Sequence, residues 1–303
     1  MSSSGGAGAN IDMNKRWLTN LILLGAIALM ALVLTTQPGK QSEEKHTLTA
    51  LKQNDIQRIE LLRPTKEKLV LEKRDKLWHM SSPMNARSNR FTVSSLLKLA
   101  STETGLRFAA DDSALKQYGL DKPAATLLLN DTTLLVGNKH PIKHERYVKA
   151  GNWITLIPVN RLRMSESPYT DFISSALIEE NKQLVGLNLG QQQLAYKDGK
   201  WSLTPANKDI TADSINQFVN EWRLAHALSV DRYSKKPVKQ WLSVSTRKTK
   251  TDNTEAAQTI KLGIVSYKPE FVLYRPDENL EYRFSEDASS RMLQLKPADK
   301  KND

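Results

Sequence analysis

Residues 56–83 read IQRIELLRPTKEKLVLEKRDKLWHMSSP, and residues 184–205 read LVGLNLGQQQLAYKDGKWSLTP. The first stretch begins with Ile56, Ile59 and Leu61, and the second begins with Leu184, Leu187 and Leu189 at the same spacing. In both, a second short strand pattern follows, then a tryptophan and, a few residues later, a proline. The two tryptophans, Trp78 and Trp201, are 123 positions apart. Tyr118 and Trp241 have the same separation, and because the signals also follow one another in the same order, we interpret the chain as two copies of one folding unit.

Each copy has hairpin-forming strands, then one amphipathic helix, then further antiparallel strands. In the first copy, Thr92 is the predicted N-cap of a helix that ends near Glu103. In the second copy, the helix is predicted over Thr211–Arg223, after a strong Asp198-Gly199 hairpin turn. This order favours an α+β fold with antiparallel sheets over a parallel βαβ fold. Two such repeats side by side would leave a groove between them, where binding sites often lie.

Residues 17–39 carry no charge, and their centre, residues 21–34, reads LILLGAIALMALVL. A helix needs about 20 mostly apolar residues to span a bilayer, so the pattern predicts an N-terminal transmembrane helix. A cleaved signal peptide is the alternative, but no small-x-small cleavage site follows. The predicted anchor residues are Trp17, Leu21, Leu24, Leu29 and Leu34.

Lys15 and Arg16 precede the helix directly, which favours a cytoplasmic N-terminus and an exported main domain. The predicted organisation has six parts. They are a disordered cytoplasmic tail (1–16), the transmembrane helix (17–36), a juxtamembrane linker (37–54), the first α+β repeat (55–178), the second (179–295) and a disordered tail (296–303).

The chain carries a net charge of +11, of which residues 37–303 contribute +10, and it contains no cysteine. The absence of cysteine excludes disulfides, thiolate nucleophiles and cysteine-based zinc sites. The positive charges are dispersed, which favours general solubility over a dedicated nucleic-acid surface. Binding of an anionic polymer stays open as an alternative.

We find no sequence pattern that identifies a catalytic residue, a cofactor site or a metal site. His140 and His144 have the spacing of a metal pair on a helix, but Pro141 lies between them and their flanks are strand-like. The carboxylate pairs Asp111-Asp112 and Glu179-Glu180 are interpreted as helix-end charges and solvated loops. We therefore predict a protein that is not an enzyme, and the patterns disfavour a metal site and a nucleic-acid partner.

Aromatic residues recur at matched positions, including Tyr118 and Trp241, which are also 123 positions apart. We interpret most of them as core residues and keep a sugar- or base-stacking platform as the alternative. Short helices are predicted over Asp112–Tyr118 and Lys236–Trp241, and their surfaces and exposed strand edges are candidates for partner contact. The residues predicted for this partner surface are Tyr118, Trp241, Lys116 and Lys239.

One string of residues resembles a known family. It comprises Tyr118-Gly119-Leu120-Asp121-x-Pro123, then Leu134-Leu135-Val136-Gly137, then Tyr147-Val148, after a Trp78-x-Met80-x-x-Pro83 entry into the helix at Phe91–Leu99. This string resembles the bacterial family known as domain of unknown function 4340. The resemblance implies an exported protein anchored in the bacterial inner membrane, with a periplasmic main domain, of a family often encoded beside components of an ABC transporter of the gliding-motility type.

The function predicted from these features is a non-catalytic accessory or binding protein, docked to an ABC-type transport complex or another envelope complex. One alternative is a binder of an anionic glycan or nucleic acid, whose affinity would fall steeply with added salt. A second alternative is an envelope hydrolase, which a groove without any buried polar cluster would rule against.

Overall fold

The computed structural model describes residues 10–36, 46–248 and 256–297, and within the first range it describes the side chains of residues 17–32. Contacts between residues divide the chain into two compact units, Met1–His46 and Thr47–Asp303. Of the predicted tail 1–16, residues 1–9 lie outside the described residues, whereas 10–16 belong to a helix. Also outside are residues 37–45 of the linker 37–54 and residues 298–303 of the tail 296–303.

The first unit contains helix α1 (Asn10–Thr36), whose described side chains, Trp17 to Leu32, are all exposed. Four predicted anchor residues belong to this exposed set, whereas the side chain of the fifth, Leu34, lies outside the described residues. A search of the described helices finds none that combines the length and the apolar character needed to cross a membrane.

The second unit, which we call the body, contains two large antiparallel sheets, a nine-stranded first sheet and an eight-stranded second sheet. In spatial order, the strands of the first sheet are β5 (Ala86–Arg87), β4 (Leu77–Ser82), β3 (Lys66–Arg74), β2 (Arg58–Arg63), β8 (Ala125–Leu129), β9 (Thr132–Lys139), β10 (Glu145–Ala150), β11 (Trp153–Pro158) and β7 (Arg107–Ala109). Two short strands, β1 (His46–Thr47) and β6 (Glu103–Thr104), lie outside both large sheets.

The second sheet has the spatial order β14 (Lys200–Thr204), β13 (Gln193–Lys197), β12 (Lys182–Asn188), β16 (Gln240–Lys248), β17 (Gln258–Ser266), β18 (Phe271–Arg275), β19 (Leu280–Phe284) and β15 (Ser229–Arg232). The eight strands from β4 to β7 in the first sheet and the eight from β14 to β15 in the second follow the same order of chain connections. The first sheet has one additional edge strand, β5, beside β4. The predicted α+β class with antiparallel sheets is confirmed. The division into repeats 55–178 and 179–295 stays a prediction.

Helices α2 (Arg90–Ala100), α3 (Val159–Glu166), α4 (Ala212–Arg223) and α5 (Ala288–Leu293) complete the body. Their apolar faces and the inner faces of both sheets form one continuous hydrophobic core. Helix α4 buries Ile215, Phe218, Val219 and Trp222, the face that its sequence periodicity predicts. The Trp222 indole donates to the main-chain oxygen of Met292 at 2.7 Å, so its polar atom is satisfied inside the core.

Two sequence predictions about helices are wrong in detail. Helix α2 is capped by Asn89 and not by Thr92, because the Asn89 side chain accepts from the Phe91 amide at 2.9 Å. No helix forms over Lys236–Trp241, where Gln240 already opens strand β16. Pairing with β17 explains the second error, because Gln240 and Trp241 lie opposite Ile264 and Gly263, and Pro237 also disfavours helical geometry at the preceding residue.

A close approach of two segments in the first sheet explains part of the Tyr118–Gly137 motif. Residues Asp112–Tyr118 form a 3₁₀ helix that ends at Gly119 with φ of +67°. A Cβ atom on Gly137 of β9 would lie 2.3 Å from the main-chain oxygen of Tyr118. Glycine at 137 therefore lets this helix lie directly on the sheet.

Candidate functional site

A cleft of about 760 Å³ opens in the body, where β4, β5 and the start of α2 face the turn between β18 and β19. Its volume lies within the usual range for ligand sites in proteins, roughly 300–1,000 Å³. The connecting segment, residues 174–182, forms another wall. The cleft thus lies where the predicted groove between the two halves was expected.

Main-chain hydrogen bonds fix the connecting segment to both halves. On one side, the Ser174 amide donates to the Arg87 carbonyl at 2.8 Å. On the other side, the Ala227 amide donates to the Ser175 carbonyl and the Leu177 amide to the Ala225 carbonyl, both at 2.9 Å. The wall of the cleft is therefore held by backbone bonds, which makes the site largely preformed.

Arg87, at the end of edge strand β5, reaches across the cleft to the second sheet. Its guanidinium pairs with Glu278 and donates to the Tyr282 hydroxyl at 2.9 Å. It also donates to the Ala176 carbonyl at 2.7 Å. The Tyr282 hydroxyl in turn donates to Glu278. One arginine thereby joins three separate segments of the chain.

Arg275 forms the second charged centre and is only 2% exposed. It donates to Glu179 at 3.0 Å, to Asp277 at 2.9 Å and to the Leu177 carbonyl at 2.7 Å. A buried arginine is stable only with its charge compensated and its donors bonded, and these contacts provide both.

Burial and neighbouring charges shift the pKa values of Glu179, Tyr282 and His79 at the cleft. Burial opposes ionisation of Glu179, but the positive charges of Arg275 and Arg87 lower its pKa to about 2. Burial raises the pKa of the Tyr282 phenol well above its usual value. Burial lowers the pKa of His79, and the charges of Arg74 and Arg87 add to this effect. At neutral pH, Glu179 is therefore charged and Tyr282 neutral.

The exposed lining of the cleft includes apolar side chains among polar and charged ones such as Lys76, Asn85 and Arg90. Leu77 is 48% exposed and Phe91 is 67% exposed, and half-buried Trp78 lies on the same wall. Two buried polar atoms of the lining, Ser88 Oγ and Glu179 Oε2, have no hydrogen-bond partner within the described residues. The cleft therefore presents apolar side chains at its mouth and free hydrogen-bonding capacity deeper inside.

The residues predicted as a partner surface lie elsewhere, in two separate aromatic groups. Tyr118 packs between Phe108 and Tyr147, with ring centroids 5.4 and 4.8 Å away, and Lys116 beside it is exposed. Trp241 lies on the second sheet with the Lys261 amine 4.1 Å from its ring centroid.

Lys239 is exposed near Tyr267, with its amine 5.5 Å from the ring centroid. The structure therefore places Tyr118 and Lys116 in the first half of the body and Trp241 and Lys239 in the second. Their role in partner contact stays a prediction.

The titratable pairs considered in the sequence have different outcomes. His140 lies in a loop, where its Nδ1 accepts from the amides of Ile142 and Lys143, so no helical face joins it to His144. Asp111 caps the 3₁₀ helix, as the interpretation as helix-end charges implies. For Glu179 the interpretation as a solvated loop is wrong, because Arg275 holds it in the buried cluster. Within the described ranges, no group of three or more potential metal ligands is found.

Sequence reasoning missed three residues of the cleft floor, Arg87, Arg275 and Glu278, and also Tyr282, whose hydroxyl bonds to two of them. Arg87 and Glu278 are 191 positions apart, so no local pattern connects them. The only available signal was Arg275 followed by the acidic turn 276–279, which was interpreted as a hairpin turn alone.

A family model described as "Domain of unknown function (DUF4340)" matches residues 78–260, which is more than half of the chain. The match begins at Trp78 on the cleft wall and ends in β17. No curated protein and no solved structure matches the chain.

Proposed function

The chain belongs to the DUF4340 family, and from that premise we propose that it is a non-catalytic accessory protein, anchored in the inner membrane, that docks to an ABC-type transport complex or another envelope complex. We further infer that its periplasmic body arose by tandem duplication. The support for duplication is the shared strand order of the two sheets and the matching place of Trp78 and Trp201, each the second residue after a two-residue hairpin turn.

The observation that carries the docking proposal is that two large apolar side chains of the cleft are exposed, whereas its buried charges are already paired. On the floor, Arg87 and Arg275 already have acidic partners within the body, so these charges hold the two sheets together. On the rim, Leu77 and Phe91 remain exposed. Exposed apolar groups around a preformed cleft are typical of sites that anchor a side chain of a partner.

The same charges argue for binding over proton-transfer chemistry. A general acid or base works best when its pKa lies near the operating pH. The pKa of Glu179 is far below neutrality and that of Tyr282 far above it. A groove without a buried polar cluster would have ruled against an envelope hydrolase. This cleft contains such a cluster, so that argument does not apply. The hydrolase stays an alternative, as does the binder of an anionic polymer.

The proposed anchor is α1, whose described side chains are exposed and, apart from Thr19 and Asn20, apolar. A helix that is apolar all round is stable only when it is surrounded by other apolar groups, and a lipid bilayer supplies them. Anchoring would raise the effective concentration of the body near a membrane-bound partner.

Photocrosslinking in native membranes tests the docking proposal. We would place p-benzoylphenylalanine at Phe91 on the rim of the cleft and, as a control, at Leu62 in β2, an exposed apolar residue that does not line the cleft. We expect adducts with subunits of an ABC-type transporter or of another envelope complex from Phe91 and none from Leu62. Adducts that are equal at both positions, or absent from both, would contradict docking through the cleft. A Phe91 adduct with an anionic polymer would favour the alternative.

A further inference from the structure

We propose that the outer edge of β14 (Lys200–Thr204) binds an extended segment of a protein partner, in the position that β5 occupies on the first sheet. Addition of a strand to an exposed edge is a common mode of peptide recognition. The proposal concerns a different strand from those that line the cleft, so it does not depend on the proposed docking function.

The hairpins that carry the two edges are built alike. The β3–β4 hairpin turns through Asp75 and Lys76 with φ of 49° and 69°, and the β13–β14 hairpin turns through Asp198 and Gly199 with φ of 50° and 79°. Two consecutive positive φ values in a two-residue loop are the mark of a type I′ turn.

The turn fixes which main-chain groups point outward. In such a hairpin, the two residues that flank the turn form main-chain hydrogen bonds to each other. Along each strand, the N–H and C=O groups of successive residues then point alternately toward the partner strand and away from it. Lys200 and Ser202 of β14 therefore face β13. The N–H and C=O groups of Trp201 and Leu203 face away from it, as do those of Trp78 and Met80 on β4.

On the first sheet, β5 covers these outward groups. Met80 is paired with Ala86 and His79 with Arg87. The Ser88 amide donates to the Trp78 carbonyl at 3.1 Å. Under this cover, Met80 is fully buried, with 0% of its surface exposed.

On the second sheet, the equivalent edge has no such cover in the part of the chain that the structure describes. β14 is the last strand in the order of its sheet, and no backbone hydrogen bond joins its outer side to another described segment. Leu203, which corresponds to buried Met80, is only partly buried. Pro205 follows the strand and so does not block the outward groups of Trp201 or Leu203.

The side chains around this edge specify the occupant. On the core side, a residue opposite Leu203 would have to be small and apolar, as Ala86 is opposite Met80. On the outer side, the exposed residues of β13 and β14 include Lys197 and Lys200, and neither strand contains a carboxylate. The occupant is therefore a strand in which small or β-branched apolar residues alternate with acidic residues. A second copy of β14 fits less well, because it would bring further lysines to the same face.

A defined peptide tests the proposal on the purified full chain. The probe is a fluorescent, end-capped heptapeptide, Glu-Val-Glu-Ala-Glu-Val-Glu, and its control replaces each Glu with Lys. We expect the acidic peptide to bind and to slow amide hydrogen exchange at Trp201 and Leu203, with no change at Ser202, whose amide already faces β13. Fluorescence anisotropy reports the affinity, and residue-resolved exchange reports the binding mode.

Two variants separate strand addition from general charge attraction. Leu203→Pro removes the outward donor, whereas Leu203→Ala removes the same side chain and keeps that donor. Loss of an edge hydrogen bond should weaken binding by roughly tenfold in Leu203→Pro relative to Leu203→Ala. Should Leu203→Pro fail to fold, a probe that is N-methylated on the amides facing β14 replaces it and is expected not to bind.

Several results would overturn the proposal. They are equal affinity for both variants, equal binding of the acidic and basic peptides, protection at Ser202 without protection at Trp201 and Leu203, or no binding at about 1 mM peptide. Protection of Trp201 and Leu203 that appears without peptide and rises with protein concentration would assign the edge to a second copy of the chain.

Discussion

At the residue scale, Arg275 is the residue of the cleft whose charge most needs compensation by neighbouring groups, because its side chain is almost completely removed from water. Replacing it with alanine would leave Glu179 and Asp277 without their shared cation and the Leu177 carbonyl without its donor. Removal of one partner from a buried ion pair typically costs about 3–5 kcal/mol. We therefore expect Arg275→Ala to lower the free energy of unfolding by about that amount, measured by urea denaturation.

Arg90→Ala is the matched control for this measurement. Arg90 pairs with Glu180 at 3.0 Å, but its side chain is 68% exposed. An exposed pair contributes about 0–1 kcal/mol, so this variant should unfold almost as the parent chain does. Similar losses in both variants would show that the buried cluster does not hold the two sheets together.

The same cluster predicts how stability depends on pH. Glu179 has a pKa of about 2 in the folded body, against an ordinary value of 4.5. A carboxylate with a lowered pKa contributes its full stabilisation above the unfolded value, and this contribution disappears as the pH falls through the folded value. We expect stability to fall between pH 4.5 and 2 more steeply in the parent chain than in Glu179→Gln. Parallel curves for the two proteins would refute the assigned coupling to Arg275.

The residues of the cleft floor also show where sequence reasoning reaches its limit. The apolar face of α4 was predictable, because neighbouring residues on one helix share a period. The pairing of Arg87 with Glu278 was not, because it depends on how two distant hairpins come together. An isolated arginine carries no sign of whether it will be buried, so the charged residues of the floor were absent from the predicted site.

At the scale of single elements, the cap of α2 gives a direct test of structure against sequence. The sequence favours Thr92 as the N-cap, whereas in the structure Asn89 accepts from the Phe91 amide. Loss of an N-cap side chain costs about 1 kcal/mol. We expect Asn89→Ala to destabilise the chain by about this amount and Thr92→Ala to have an effect of about 0.5 kcal/mol or less, measured by thermal unfolding. The reverse ranking would restore Thr92 as the cap.

The contact between the 3₁₀ helix Asp112–Tyr118 and β9 depends on Gly137. A Cβ atom there would meet the Tyr118 carbonyl at 2.3 Å, and a main-chain atom cannot move aside cheaply. Overpacking of this kind costs about 1–3 kcal/mol, which is the loss expected for Gly137→Ala in urea denaturation.

Gly151→Ala is the comparison variant, because no atom lies within 4 Å of a Cβ built there and only its φ of 53° opposes the change. It should cost about 1 kcal/mol. An equally small loss in Gly137→Ala would mean that the helix does not rest on the strand.

Elements differ in how well the sequence predicts them. Hairpins were predicted well, because Asp198-Gly199 and similar turns act locally. Edge strands β5, β7 and β15 were missed, because they are short and are defined by the partner beside them. The helix over Lys236–Trp241 was predicted only by analogy with the segment Asp112–Tyr118 of the first half. That analogy is incomplete, because Asp112–Tyr118 contains no proline and the second segment contains Pro237.

At the scale of the whole molecule, the body does not separate into two independent domains. One hydrophobic core includes buried residues of both sheets, and contacts define one unit over Thr47–Asp303. Each half supplies a wall of the cleft, and the charges of Arg87 and Arg275 close the gap between them. An ancestral single unit would have had neither the cleft nor its cluster. The proposed duplication therefore places any function of the cleft after the copying event.

Membrane attachment is the remaining question at this scale, and a charge introduced into α1 addresses it with the chain left whole. An arginine near the centre of a spanning helix opposes insertion by about 2.5–3.5 kcal/mol. We expect the double variant Leu24→Arg, Leu29→Arg to be released from membranes by alkaline extraction, whereas the parent chain stays in the membrane fraction. Leu62→Arg is the control, because Leu62 is an exposed apolar residue of the body, and it should be retained with the membrane. Release of the parent chain under the same conditions would contradict the proposed membrane anchor. The membrane part of the proposed function would then be abandoned. Docking through the cleft would remain testable by crosslinking at Phe91.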